Sequence, residues 1–172
     1  MYNIGAYVSY RSEGVCKIVD IRKENFGTVG KDTLYYVLTP ANDEKSTFFV
    51  PVDNKSLVAM MRKILCAEEI IELIKEVSKT EMEWIPDSKQ RGARFKEILA
   101  NGERAELIML VHTVKRHIDE QTALGKKTYI SDLNAMKRAC KLLFDEFSMM
   151  IPMSSPDETT ELIEKIYCEY KI

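Results

Sequence analysis

Hydrophobic and polar positions change rhythm once along this chain. Over the first third, short aromatic and β-branched runs are separated by polar, turn-prone residues. "GAYVSY" (Gly5–Tyr10) is followed by the turn "RSEG" and then by "VCKIVDI" (Val15–Ile21). "TLYYVL" (Thr33–Leu38) and "STFFVPV" (Ser46–Val52) follow, with Gly27, Gly30, Pro40, Asn42 and Asp43 in the polar loops. These runs read as strands, and a last short one is expected over Val58–Ile64. Several short strands so spaced predict a small barrel or a strongly bent antiparallel sheet. Pro51 has no N–H for a ladder, so its strand belongs at an edge or a bulge.

From Ala67 the period is helical. Ala67, Ile70, Ile71, Ile74 and Val77 recur at i, i+3, i+4, i+7 and i+10. A second helix is expected after Asp87 as N-cap, with Phe95, Ile98 and Leu99 inward and a stop at Gly102. A third places Leu107, Leu110, Val111, Val114 and Ile118 on one face. A fourth, capped by Ser131 or Asp132, carries Leu133, Met136, Cys140, Leu143, Phe144 and Phe147. Pro152 interrupts the chain. "SPDE" (Ser155–Glu158) has the form of a capping box with proline at the first helical position. It starts a last helix with Leu162, Ile163, Ile166, Tyr167 and Tyr170 inward. The fold class is therefore α+β: a small barrel or strongly bent antiparallel sheet over residues 1–65, then an all-α bundle of about five helices over 66–172. Such short amphipathic helices are stable only when packed together.

Composition narrows the function. No apolar run approaches the roughly 18–20 residues that span a bilayer, and the start lacks the basic and apolar pattern of a secretory signal. A cytoplasmic protein is expected. The four cysteines, Cys16, Cys66, Cys140 and Cys168, have no zinc or redox spacing and read as free thiols. His112 and His117 are five apart, about 140° around a helix, so they do not readily share a metal. No nucleophile elbow, metalloprotease or phosphate-loop motif is present. No catalytic residue, metal or cofactor is expected. Met60–Met61 and Met149–Met150 read as core filler.

The net charge of −2 hides an asymmetry. From Trp84 to Lys141 there are 12 Lys and Arg against 7 Asp and Glu; from Leu142 to Ile172 there are 2 against 7. The middle of the chain has the charge to meet a polyanion, although solvated helix faces would look the same. The only tryptophan, Trp84, lies in the turn-prone "TEMEWIPD". On the residues alone it reads as a cap over the core between two helices.

Two stretches carry a resemblance. "YNIGAYVSYRSEGVCKIVDI", "YYVL", "FFVPV" with its Val50–Pro51 pair, and "MMRKIL" resemble the opening of the CarD (CdnL) family of bacterial transcription regulators. This part is also similar to the polymerase-interacting domain of the transcription-repair coupling factor, which implies a Tudor/SH3-like β-barrel over residues 1–65. "EWIPDSKQRGARFKEILANGERAELIMLVHTVKRH" and "KRACKLLFDEF" resemble the family's helical half. Ala6 stands where the family usually has aspartate, Phe49 where some members have a basic residue, and Pro86 is inserted after the tryptophan.

The resemblance implies a regulator that binds the RNA polymerase β subunit by strand addition at "TFFVP", that is Thr47, Phe48, Phe49, Val50 and Pro51. It implies that Trp84 wedges into the minor groove at the upstream edge of the promoter bubble and stabilises the open complex. Lys89, Arg91, Arg94 and Lys96 would clamp phosphates, with Lys126 and Lys127, and then Lys137 and Arg138, in support. Promoter DNA would be contacted without sequence specificity, with no membrane involved, by a monomer. Glu158, Glu161, Glu164 and Glu169 would face away from the DNA. The competing reading is a polymerase- or protein-binding module that does not touch DNA.

Overall fold

Alternation of large apolar and polar residues does produce strands in the first sixty residues. The computed structural model describes residues 1–26, 32–43 and 45–170; the loop glycines Gly27 and Gly30 lie outside these. The strands are β1 (Tyr7–Tyr10), β2 (Val15–Glu24), β3 (Thr33–Pro40), β4 (Phe48–Pro51) and β5 (Met61–Lys63). They form one antiparallel sheet in the order β4-β3-β2-β1-β5. β2 is longer than its sequence pattern suggests because the register slips between Ile18 and Asp20. Val19 bulges out there, and a bulge lets a long strand bend around a core. Val8, Tyr10, Cys16, Ile18, Tyr36, Leu38, Val50 and Met61 fill that core. The Tyr2 hydroxyl donates to the Met61 carbonyl and ties the start of the chain to β5.

The expected strand over Val58–Ile64 is mostly something else. Asn54 accepts the Leu57 N–H at 3.1 Å and caps a short helix, α1 (Lys55–Ala59). An Asn cap followed by "KSLV" favours a helical turn, so only Met61–Lys63 is left to pair with β1.

The chain divides into two compact units, Met1–Ile64 and Leu65–Ile172. The second holds five helices among its described residues: α2 (Ala67–Ser78), α3 (Ser88–Asn101), α4 (Arg104–Ala123), α5 (Ile130–Phe147) and α6 (Pro156–Tyr170). The architecture is α+β. α3 begins and ends where its caps predict: Asp87 accepts the Gln90 N–H at 2.7 Å, and Gly102 closes the helix at φ 65°. The apolar stripes meet in one core that includes Ile70, Ile74, Ile98, Leu110, Val111, Leu143, Phe147 and Ile163.

Three expectations fail here for local reasons. α5 starts at Ile130, one turn before Asp132 could cap it, and Asp132 is buried. Tyr170 is exposed and lies under the Lys75 ammonium at 4.8 Å instead of pointing inward. Met60, Met149 and Met150 are exposed, and only Met61 is core.

Candidate polymerase and nucleic-acid interfaces

In the first unit the feature of interest is the outer edge of β4, which among the described residues pairs only with β3. Its polarity follows from one bond. The Val52 N–H donates to the Leu34 carbonyl at 2.9 Å, which makes that pair a hydrogen-bonded one. Antiparallel ladders alternate, so Val50–Tyr36 and Phe48–Leu38 are also hydrogen-bonded pairs, whereas Phe49 and Pro51 turn their backbone groups away from β3. The proline therefore costs this ladder nothing, and Phe49 offers the one outward N–H of β4.

Side chains sort the same way. Val50 is fully buried and Phe48 packs on the core, so both belong to the fold. Phe49 is on the other face. Its ring meets Phe26 at 4.8 Å and Tyr35 at 6.1 Å, with the Arg22 guanidinium 5.7 Å from its centre. Phe26 is 59% exposed. Thr47 is exposed just ahead of the strand. Of the five residues expected at this edge, Thr47, Phe49 and Pro51 look outward; Val50 and Phe48 are left with backbone bonded to β3 and side chains turned inward.

In the second unit the chain around Trp84 is organised by a charge that sequence reasoning placed on the surface. Arg91 is 1% exposed. Its Nε and Nη2 both donate to Asp132 Oδ2 of α5, at 3.1 and 2.9 Å. Its Nη1 donates to the carbonyls of Ile85 at 2.7 Å and Pro86 at 3.0 Å. Arg91 is thus a structural cation that fastens the segment before α3 to α5, and the expectation that it clamps phosphate is overturned. Its planar fork suits this task, since it satisfies a carboxylate and two carbonyls at once.

The same guanidinium lies over the Trp84 ring, 4.4 Å from its centre. His117 stacks on Trp84 at 3.7 Å and 17°. Two groups so close to one ring cannot share a face, so His117 and Arg91 cover opposite faces. Phe95 meets the indole edge-on at 6.5 Å. Trp84 is partly buried against the helical core, with its faces taken and part of its edge in solvent. The residue-level reading of Trp84 as a core cap describes this position. His112 is likewise committed: its Nδ1 lies 2.9 Å from Glu164 and its ring stacks on Tyr167 at 3.8 Å.

Ion pairs also redistribute the basic excess. Arg94 donates to Glu97 and Glu106, so it too is occupied, though partly exposed. Arg104 pairs with Glu146, Lys115 with Asp119, Arg116 with Glu81 and Glu120, and Lys141 with Asp145. Among the described residues, the basic side chains of this segment without an ion pair are Lys89, Lys96, Lys126, Lys127, Lys137 and Arg138. All six are exposed. Of the acidic set on α6, Glu164 is held by His112 and Glu158 accepts the Ser154 N–H. No cluster of three or more metal-ligating side chains occurs among the described residues, and none of their helices is long and apolar enough to cross a membrane.

Sequence reasoning also passed over Tyr129. It is 59% exposed and lies over the Arg91 guanidinium at 5.4 Å. The only signal for it was an aromatic residue two positions after a pair of lysines.

Residues 2–65 match the CarD-like/TRCF RID domain. The match takes in the sheet unit and leaves the helical unit outside. No curated protein matches the chain.

Proposed function

Residues 2–65 belong to the CarD-like/TRCF RID domain family, an RNA polymerase-interacting module, and from that premise we propose that the chain is a cytoplasmic transcription regulator. It binds the polymerase β subunit by adding a partner strand to the outer edge of β4. The single observation that carries this reading is the domain match on a sheet whose β4 edge is unpaired among the described residues. Main-chain bonds to Phe49 supply affinity, and the Phe26–Tyr35–Phe49 cluster with Arg22 supplies selectivity. Thr47 and Pro51 complete the edge, while Phe48 and Val50 hold it to β3 and to the core.

The helical unit then contacts promoter DNA and stabilises the open complex. Support comes from the exposed and unpaired Lys89, Lys96, Lys126 and Lys127, and from the solvent edge of Trp84. Binding is to backbone and shape, so free DNA is bound weakly and with steep salt dependence. Arg94 contributes only by leaving Glu97 and Glu106. A second reading, a polymerase-binding module without DNA contact, is favoured by one observation: both faces of Trp84 are occupied within the protein.

The test is open-complex formation by cognate polymerase on a promoter with a fluorescent base in the melted region. Wild type, Trp84→Phe and Lys126→Glu/Lys127→Glu are compared at equal polymerase occupancy. The regulator reading expects wild type to raise the open population or its lifetime, and both variants to lose the gain. Unchanged melting by polymerase-bound wild type leaves the interaction module as the function.

A further inference from the structure

We propose that the groove between α3 and α5, with Tyr129 at its mouth, takes one strand of melted DNA: a nucleobase stacks on Tyr129 and its neighbouring phosphates lie between Lys96 and Arg138. This rests on the reading that the helical unit meets promoter DNA, and it changes which aromatic ring does the stacking.

The argument starts from the rings. Trp84 has no free face, because His117 and Arg91 cover both. A ring so enclosed meets DNA by its edge and cannot stack on a base without leaving its place. Tyr129 differs. Arg91 lies over one face at 5.4 Å, and no other ring or cation among the described residues lies against it. The residue is 59% exposed, so it keeps surface for a ligand to cover. His117 stacks on Trp84, Arg91 lies over Trp84, and the same Arg91 lies over Tyr129, so the four form a chain of contacts whose last member is the exposed Tyr129. A base placed there extends those contacts, and every nucleobase has a π-face suited to it. Tyr129 is also fixed from behind, since Arg91 is tied to Asp132 on the next turn of the same helix. Little ordering remains for the ligand to impose.

Charge selects the ligand. Ile130, 76% exposed, follows Tyr129. The next residue, Ser131, begins a groove lined also by Lys96 of α3 and by Asn134 and Arg138 of α5. Lys96 and Arg138 are unpaired among the described residues, and the one carboxylate in the groove, Asp132, is already neutralised by Arg91. Lys126 and Lys127 approach from the other side of Tyr129 in sequence. An exposed aromatic ring with unpaired cations before and after it in the chain suits a single-strand nucleic-acid site. An acidic peptide would use the cations and waste the ring. Duplex DNA, with its bases stacked inward, would do the same.

The experiment measures binding of the full chain, in complex with cognate polymerase, to a fork-junction DNA with an unpaired overhang, and to the same DNA fully duplex. Tyr129→Ala and Lys96→Glu/Arg138→Glu are each expected to lose about 5-fold or more on the fork and much less on the duplex. Tyr129→Phe should retain binding, and circular dichroism confirms that each variant is folded. If Tyr129→Ala binds the fork like wild type, while Trp84→Phe or Lys126→Glu/Lys127→Glu weakens it, this proposal fails and the DNA-contact reading survives. If the helical variants are all neutral on both DNAs, both fall together. Equal losses on fork and duplex, or polyglutamate competing as well as the overhang strand, make the groove a general anion surface and overturn the proposal.

Discussion

Replacing Asp132 by alanine should be among the most damaging single changes in the helical unit. The carboxylate and the Arg91 guanidinium are 5% and 1% exposed as side chains. Two N–H groups converge on one Asp132 oxygen at 3.1 and 2.9 Å. Removing the acid leaves a guanidinium that can neither deprotonate nor reach water. Breaking a buried pair in this way costs about 3–5 kcal/mol. The double change Arg91→Met/Asp132→Leu removes both charges, and its remaining cost comes from the bonds to the Ile85 and Pro86 carbonyls, about 0.5–1.5 kcal/mol each. Urea unfolding followed by Trp84 emission reads this directly, because the only tryptophan belongs to the helical unit. The expected order of stability is wild type, then the double variant, then Asp132→Ala. An Asp132→Ala variant within about 1 kcal/mol of wild type, the range of exposed pairs, would refute the argument from uncompensated charge. So would a double variant as unstable as the single.

Four further outcomes follow from the geometry. Phe49→Pro removes the outward N–H of β4 and the half-buried ring while leaving the bonds from Phe48 and Val50 to β3; polymerase binding should fall at least tenfold with the sheet's far-UV spectrum unchanged, and unaltered affinity would rule out strand addition at this edge. His117→Ala strips one face of Trp84, which should shift the emission to longer wavelength and cost about 0.5–1.5 kcal/mol; an unmoved emission maximum would contradict the stacking. Burial, helped by nearby Glu13, pushes the Cys16 thiol up from 9.0 to about 12, so its contribution to stability is complete below pH 9 and is lost as the pH rises toward 12. Cys16→Ala should therefore show a shallower alkaline loss of the sheet's circular dichroism. In the native wild type, iodoacetamide at neutral pH should label exposed Cys66 and Cys168 and spare Cys16 and Cys140, which intact mass measures.

Much of this architecture was legible in residue order. Asp87 and Gly102 bound α3 because a short acceptor and a left-handed glycine have few other uses beside an apolar stripe. Pro51 narrowed β4 to an edge or a bulge, and the sheet order makes it an edge. Arg91 could have been read as well: it lies four residues before Phe95 and seven before Ile98, on the buried stripe itself, but a cation near a tryptophan invites a surface role. Asp132 was ambiguous in principle. An acid near a helix start is favoured there whether it caps, meets the dipole or receives a buried charge, and only the fold brings Arg91 across from 41 positions away. The free cations were hidden for the same reason. Sequence counts charges, while pairing across helices decides which of them a polyanion would meet. Tyr129 sits outside every periodic stripe, so no pattern marked it.

The short edge of β4 has a consequence for how the protein behaves when crowded with its own copies. An open strand carrying an aromatic ring is ordinarily an invitation to grow, each molecule lending its edge to the next. Here the growth front is a single residue wide. Phe49 holds one donor, Pro51 holds none, and the strand ends there. A second copy laid along this edge would find too few bonds to hold its register, whereas a partner with a complementary pocket for Phe26 and Phe49 gains side-chain contacts that an identical strand lacks. The proline thus separates docking from polymerisation, and the chain can keep a receptive edge in solution at concentrations where a longer one would seed fibres.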